Sequence, residues 1–179
     1  GATDPTIDRL NPGDIDIDDA PGDEDDSDVA VLDLPKASLG DTVWFDDDQD
    51  GVQDDGEAGV PNIIVILEKV VDGERVEVGR TLTDEDGRYL FDDLVPGDYT
   101  VTFLIPNDYE TSPIGGTNDT ALDSNGSING VRTVDGNTYK VLTTAVTNLE
   151  PGEHDPTIDQ GVYLAPSSEL DLLLTKTVQ

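Results

Sequence analysis

Short runs of β-branched and other apolar residues recur along this chain, and each is bounded by Gly, Pro, Asn or Asp. Such runs are typical of strands separated by turns, whereas a helix needs apolar residues at three- and four-residue spacing. Helical spacing is hard to find anywhere in the sequence, so the pattern predicts an all-β fold. The predicted strands span residues 41–45, 62–68, 76–83, 88–91, 98–104, 138–147 and 158–164.

Two of these runs indicate where their strands lie in the sheet. The run "NIIVIL" is apolar on both faces and predicts a central strand, whereas "YTVTF" alternates and predicts a half-buried one. A length of 179 residues allows one ordinary domain with arms. We expect an acidic N-terminal arm over 1–36 that ends in a strand, a β-sandwich over 37–165, and a C-terminal strand or arm over 166–179.

The balance of charge restricts the partners. The chain has 41 acidic and 9 basic residues, a formal charge of −32, which argues against nucleic acid and against an anionic membrane surface. Asp outnumbers Glu by 31 to 10, and Asp favours turns and oxygen cages for metal ions. A halophilic surface is an alternative explanation for so much acid. No Cys is present and no apolar run is long enough to span a bilayer.

The stretch "DDDQDGVQDDGE" over 46–57 matches the calcium-loop pattern D-x-[DN]-x-[DN]-G-x5-E at every position. In such a loop, alternate residues direct oxygens at one centre, where a large hard cation accepts six to eight of them. The alternative is an acidic surface turn. The candidate ligands are the side chains of Asp46, Asp48, Asp50, Asp54 and Glu57 and the carbonyl of Val52, with Gly51 at the sharp turn.

Weaker candidates occur in two other loops. Asp84 and Asp86 precede a Gly, and Asp119, Asp123 and Asn125 fall in "NDTALDSNG". Each pattern is also typical of an ordinary hairpin or loop. Further carboxylates that could complete such sites through space are Asp92, Asp93, Asp155 and Asp159.

The sequence offers little for catalysis. His154 is the only His, there is no Cys, and no Ser stands in a nucleophile-elbow context. Paired carboxylates are explained by metal loops without a catalytic cleft. We therefore expect that the chain is not an enzyme.

The motifs "LGDTVWFDDDQDGVQDDGEAGVPNIIVIL", "TDEDGRYLFDDLVPGDYTVTF", "LDSNG" and "DPTIDQGVY" together resemble the SdrD B-like domain family, calcium-binding modules of bacterial surface adhesins related to Cna B-type domains. The resemblance implies a prealbumin-like or Ig-like β-sandwich of about seven strands. It also implies that Ca²⁺ stiffens the fold. The principal ligands implied are Asp46, Asp48, Asp50, Val52 and Glu57, and the accessory ones Asp84, Asp86, Asp119, Asp123 and Asn125.

The expected function is that of a calcium-stabilised extracellular structural module, either a stalk domain or a filament subunit. Strand addition between copies is one expected mode of assembly, because "DVAVLDL" and "LDLLLTKTV" in the arms look like strands. The expected partners are copies of the chain or neighbouring domains of a surface protein. The alternative is an adhesin domain that binds a host protein, glycan or matrix ligand. The sequence leaves open the number of ions and which arm would donate the strand.

Overall fold

The computed structural model describes residues 33–115 and 121–166, and this part of the chain consists of strands and loops. The all-β class expected from the sequence is therefore confirmed. The strands are β1 (Ala37–Leu39), β2 (Val43–Phe45), β3 (Ile64–Val71), β4 (Glu74–Leu82), β5 (Phe91–Leu94), β6 (Gly97–Pro106), β7 (Tyr109–Thr111), β8 (Ser127–Val134), β9 (Asn137–Thr143), β10 (Thr147–Leu149), β11 (His154–Asp155) and β12 (Gln160–Leu164).

The larger layer is an antiparallel sheet in the order β4-β3-β6-β9-β8, with β10 paired to the start of β6. The run "NIIVIL" enters β3, which lies between β4 and β6 as a central strand should. The expectation for "YTVTF" was wrong, because β6 is buried on both faces and not on one. Its Thr side chains tolerate this burial where they are hydrogen-bonded, as when Thr102 donates to Glu68 Oε2 at 2.9 Å.

The second layer consists of two three-stranded sheets, in the orders β11-β1-β5 and β2-β12-β7. Two of its pairings are parallel: β1 with β11, and β2 with β12. In the second pair Trp44 lies opposite Gly161, so the beginning of the described chain is joined to its end. Because the pairing is parallel, the turn before β2 lies beside the loop before β12, and the loop after β2 begins beside Val162.

A single apolar core joins the layers. Phe103 of β6 meets Tyr89 edge to face at 5.7 Å, and both side chains are buried. The core also takes residues from the second layer, including Leu39 of β1, Val43 of β2 and Val162 of β12. Packing between the layers fixes where the loops of the second layer begin and end.

Several elements differ from the sequence prediction. The strand expected over 88–91 lies at Phe91–Leu94, and the one expected over 138–147 ends at Thr143 and resumes at Thr147. The strands β1, β7, β8 and β11 were not predicted, since they are short or, in β8, exposed along almost their whole length. The expected arms over 1–36 and 166–179 fall almost wholly outside the described residues. No helix in the described part is long and apolar enough to cross a membrane.

Candidate metal centre

The acidic loop over 46–57 follows β2, and the residues after the loop pair back with the same strand. Phe45 N donates to Ala58 O at 2.8 Å, and Trp44 forms an antiparallel β-bridge with Gly59. The two ends of the loop are therefore held together at β2. Asp46 N donates to Val162 O at 2.8 Å, which ties the first acidic residue to β12. The loop is therefore held by backbone bonds to the sandwich at its base.

Three carboxylates converge inside this loop. Asp46, Asp48 and Asp50 each offer an oxygen, and these oxygens lie within 4.8 Å of one another. Asp46 is fully buried, and its two oxygens accept the N–H groups of Gln49 at 2.7 Å and Gly51 at 3.0 Å. Asp48 and Asp50 are exposed and face the solvent side of the cluster.

The curl of the loop depends on Gly51. Its φ is 81°, in the left-handed region, and a Cβ there would overlap the carbonyl oxygen of Pro113. Asp50 Oδ1 then accepts Val52 N at 2.8 Å and continues the curl. The sharp turn that the calcium-loop pattern assigns to the sixth position is present.

The electrostatics of the cluster favour a cation. Desolvation raises the pKa of Asp48, and the charge of Asp50 raises it further, followed by those of Asp54 and Asp46. A bound cation would relieve this repulsion between like charges. Because the convergent donors are carboxylate oxygens in a flexible loop, the residues fit Ca²⁺ better than Mg²⁺, which demands a stricter octahedron.

Glu57, the last residue of the pattern, closes the loop through backbone bonds. Its Oε1 accepts Asp47 N at 2.7 Å, and its Oε2 accepts Asp54 N at 2.9 Å. It is not part of the three-carboxylate cluster, although each oxygen keeps a second lone pair. Its role as a bidentate ligand, and that of the Val52 carbonyl, stay predictions.

The segment around Asp123 lies against the acidic loop. Val52 forms an antiparallel β-bridge with Asp123, and Gln53 N donates to Leu122 O at 2.7 Å. Asp123 is buried and accepts Asn125 Nδ2 at 3.2 Å. The structure thus brings Asp123 and Asn125 beside the loop, whereas Asp119 lies outside the described residues.

Gln160 fixes this segment to β12. It is fully buried, its Nε2 donates to Ser124 Oγ at 2.7 Å, and its Oε1 accepts Gly126 N at 3.0 Å. A buried amide with both ends satisfied holds a single arrangement, because any other leaves a polar group unpaired. The sequence alone gave no sign of this residue's role.

Asp84 and Asp86 form a separate turn. Asp84 Oδ1 accepts Asp86 N at 3.0 Å and Arg88 N at 2.8 Å, while the Asp86 carboxylate lies 3.8 Å from Arg88. This turn touches the end of the acidic loop, since a Cβ at Gly59 would overlap the carbonyl oxygen of Asp86. Glu57 and Asp86 line a shared cleft of about 420 Å³, but Asp86 does not join the three-carboxylate cluster.

The fold and the loop together define an acidic β-sandwich module that carries a loop of three converging carboxylates on its second layer. The family model for the SdrD B-like domain matches residues 37–162, and the chain belongs to that family. The resemblance read from the motifs is thereby confirmed.

The relatives are much longer than this chain. Serine-aspartate repeat-containing protein F of Staphylococcus epidermidis is 39% identical over 140 residues, which is 78% of this chain and 8% of the relative. Protein I of Staphylococcus saprophyticus is 36% identical over 144 residues, 80% of this chain and 7% of the relative. Protein C of Staphylococcus aureus is 35% identical over 144 residues, 80% of this chain and 13% of the relative.

Solved structures give weaker likenesses. A minor pilin of Streptococcus agalactiae has a TM-score of 0.36 at 13% identity, over 75% of this chain and 48% of the pilin. The pilus adhesin of Streptococcus pneumoniae has a TM-score of 0.36 at 14% identity, over 75% of this chain and 16% of the adhesin. No conclusion about function follows from scores this low.

Proposed function

We propose that this chain is a calcium-stabilised structural module of the extracellular surface, a stalk domain or filament subunit without enzymatic activity. The observation that carries the proposal is the convergence of Asp46, Asp48 and Asp50 in a loop paired at both ends to the sandwich. Millimolar Ca²⁺ outside cells saturates sites of the affinity found in extracellular modules, whereas cytosolic levels do not. Location at the cell surface is therefore part of the proposal.

Its mechanism is linkage between ion binding and folding. The three carboxylates are brought together only when the loop is folded, so an ion binds the folded state better than the unfolded chain. At twenty times its Kd, one ion would add about 1.8 kcal/mol to the free energy of unfolding. Because the residues on both sides of the loop are paired at β2, the bound ion would stabilise the sandwich as well as the loop.

The test is thermal unfolding in about 2 mM Ca²⁺ and in EGTA, where a site of extracellular affinity should raise the melting temperature by several degrees. The double variant Asp48→Asn/Asp50→Asn should lose most of this rise. A matched control is Asp72→Asn/Asp135→Asn, which removes the same charge from two exposed hairpin turns. The φ angles of these residues are 53° and 50°, a region of backbone conformation that Asn adopts as readily as Asp. Equal rises in both double variants would reject the loop as the calcium site.

Aromatic side chains support the structural role over glycan binding. A carbohydrate platform needs exposed rings side by side, and none of the aromatic side chains is fully exposed, although Phe45, Tyr109, Tyr139 and Tyr163 are only partly buried. The buried rings are Trp44, Tyr89, Phe91, Tyr99 and Phe103. A host or matrix ligand therefore remains the second candidate for partner, after neighbouring domains of a surface protein.

Strand addition between copies is a further part of the proposal. Both edges of the large sheet expose apolar side chains: Val76 and Val78 on β4, and Ile128 and Val131 on β8. Exposed edges of this kind accept an additional strand. The run "LDLLLTKTV" has apolar residues at alternate positions and is the donor we favour.

Deletion of residues 167–179 should then abolish polymers seen by negative stain and light scattering. The deletion of residues 1–32 serves as the comparison, because it removes all but the last two residues of "DVAVLDL", the other candidate donor. Polymers that persist without residues 167–179 would eliminate that segment as the donor.

A further inference from the structure

The chain contains two Asn-Gly pairs, and their surroundings in the structure differ. Asn125 and Gly126 lie in the loop before β8, whereas Asn129 and Gly130 lie within β8. The amide carbon of an Asn side chain can be attacked by the backbone nitrogen of the next residue, and Gly presents no side chain that hinders this attack. Asn is accordingly among the thermolabile residues of proteins. Which pair reacts depends on how the fold holds each one.

The first pair is held by hydrogen bonds on both of its reacting groups. The attacking atom, Gly126 N, donates to Oε1 of the buried Gln160 at 3.0 Å. The side chain of Asn125 is fixed at both ends, since its Nδ2 donates to Asp123 Oδ1 at 3.2 Å and its Oδ1 accepts Asp159 N at 2.5 Å. Attack would need the loss of a buried hydrogen bond and the rotation of a fixed amide, so this pair is protected.

The second pair lies in a β-bulge on an edge strand of the large sheet. The register of β8 with β9 shifts between Ile128 and Val131, so Asn129 and Gly130 lie outside the regular ladder. Both residues are exposed, and Gly130 has a φ of 109°, a conformation that favours Gly. A Cβ built on Gly130 would meet no atom within 4 Å, so the space beside the pair is open. The reactive sequence is thus combined with an irregular and accessible backbone.

We propose that Asn129 is a site of spontaneous deamidation, with water as the only co-reactant. Gly130 N gives its proton to solvent and forms a bond to Asn129 Cγ. The bond from Cγ to the side-chain nitrogen breaks, and that nitrogen leaves as ammonia. Water then adds to one of the two carbonyl carbons of the resulting cyclic imide and opens the ring. The product at position 129 is aspartate or isoaspartate, according to which carbon–nitrogen bond breaks, and nothing is oxidised or reduced.

The modification changes β8 at a place with little support. Either product adds a negative charge, and isoaspartate also lengthens the backbone by one carbon atom. Strand β8 is exposed along almost its whole length and is held by its pairing with β9. A longer backbone at the bulge should loosen the pairing on both sides of it. Amide hydrogen exchange in β8 should therefore be faster in aged protein than in fresh protein.

A second consequence rests on the strand addition proposed above. The new charge stands between Ile128 and Val131, the apolar side chains that β8 exposes at the edge of the sheet. Charged residues on an edge strand oppose its pairing with a further strand. Asn129→Asp should therefore give less light scattering by polymers than Asn129→Gln at equal concentration. Equal scattering would reject this edge as the acceptor, but it would not affect the chemistry at Asn129.

Incubation in heavy-oxygen water tests the chemistry, because ring opening incorporates the label into the modified residue. The full chain is kept folded at mildly alkaline pH, where a backbone amide loses its proton more readily, and the label is located by tandem mass spectrometry. Label should enter position 129 at least about ten-fold faster than position 125, since the buried bond of Gly126 N must break before attack there. In guanidinium chloride the two positions should gain label at similar rates, because the protecting contacts are lost. Asn129→Gln should remove the fast label, since its longer side chain would have to close a larger ring.

Equal rates at the two positions in the folded chain would overturn the proposal. So would a folded chain that gains no label at position 129 over the time in which the unfolded chain is converted, because the bulge would then protect Asn129 as well as Gln160 protects Asn125. Fast label that persists in Asn129→Gln would also overturn it, since the reactive residue would lie elsewhere.

Discussion

Replacement of Asp46 by Asn should separate the architecture of the acidic loop from its ion binding. Asp46 is fully buried and accepts two backbone N–H groups, from Gln49 and Gly51. Asp48 is exposed and accepts only a long bond, 3.4 Å from Asp50 N. Asp46 thus shapes the loop, whereas Asp48 contributes chiefly charge and a ligand oxygen.

The expected loss of stability in Asp46→Asn follows from these hydrogen bonds. Asn has one oxygen, so it keeps one of the two amide bonds and turns an NH₂ group towards the other amide. Loss of one hydrogen bond to a buried charged acceptor costs about 1.5–3 kcal/mol. At about 4 °C per kcal/mol for a domain of intermediate size, the melting temperature should fall by about 6–12 °C.

The assay is thermal unfolding in EGTA, followed by circular dichroism, with Asp48→Asn beside Asp46→Asn. Asp46→Asn should be destabilised without Ca²⁺, whereas Asp48→Asn should be at least as stable as the wild type there, because it relieves repulsion by Asp50, and should lose the rise on adding Ca²⁺. Wild-type stability of Asp46→Asn in EGTA would refute the reasoning, because it would mean that the loop bonds form only around an ion.

Four further substitutions, of which Gly73→Ala is a control, probe the framework of the domain. Gly59→Ala should lower the melting temperature strongly because its Cβ would overlap a backbone carbonyl, whereas Gly73→Ala, which meets open space, should cost only about 1 kcal/mol for its positive φ. Phe103→Ala should cost about 3–5 kcal/mol in urea unfolding, since the ring is fully buried, and a smaller loss would show that the core collapses around the gap. Glu110→Gln breaks the 2.8 Å ion pair with Lys140 but should cost under about 1 kcal/mol, with the loss disappearing in high salt, because both groups are partly exposed.

Local sequence predicted the elements whose signal is local. The run "NIIVIL" needed no partner to be assigned to a central strand, and the twelve-residue spacing placed Asp46, Asp48 and Asp50 before any contact was known. The exposed strand β8 escaped prediction because its stability comes from pairing with β9 and not from an apolar face. The burial of Thr100 and Thr102 was not predicted either, because alternation with apolar residues is compatible with a covered face or an open one.

Asp159 shows the same limit. It is fully buried and accepts Thr42 N at 3.2 Å, and nothing in the residues around it predicts this burial. Its position depends on the parallel pairing of β2 with β12, a long-range feature that no spacing pattern reports. From the sequence, Asp159 was only one of several carboxylates that could complete a site through space.

The parallel pairing of β2 with β12 explains why an ion in the acidic loop would stabilise more than the loop itself. Asp46, the first residue of the loop, is bonded through its backbone to Val162 of β12. An ion in the loop would therefore oppose separation of β2 from β12, the step that opens the second layer. If this reasoning is sound, amide hydrogen exchange in β2 and β12 slows more with Ca²⁺ than exchange in β4, which pairs with β3 in the other layer.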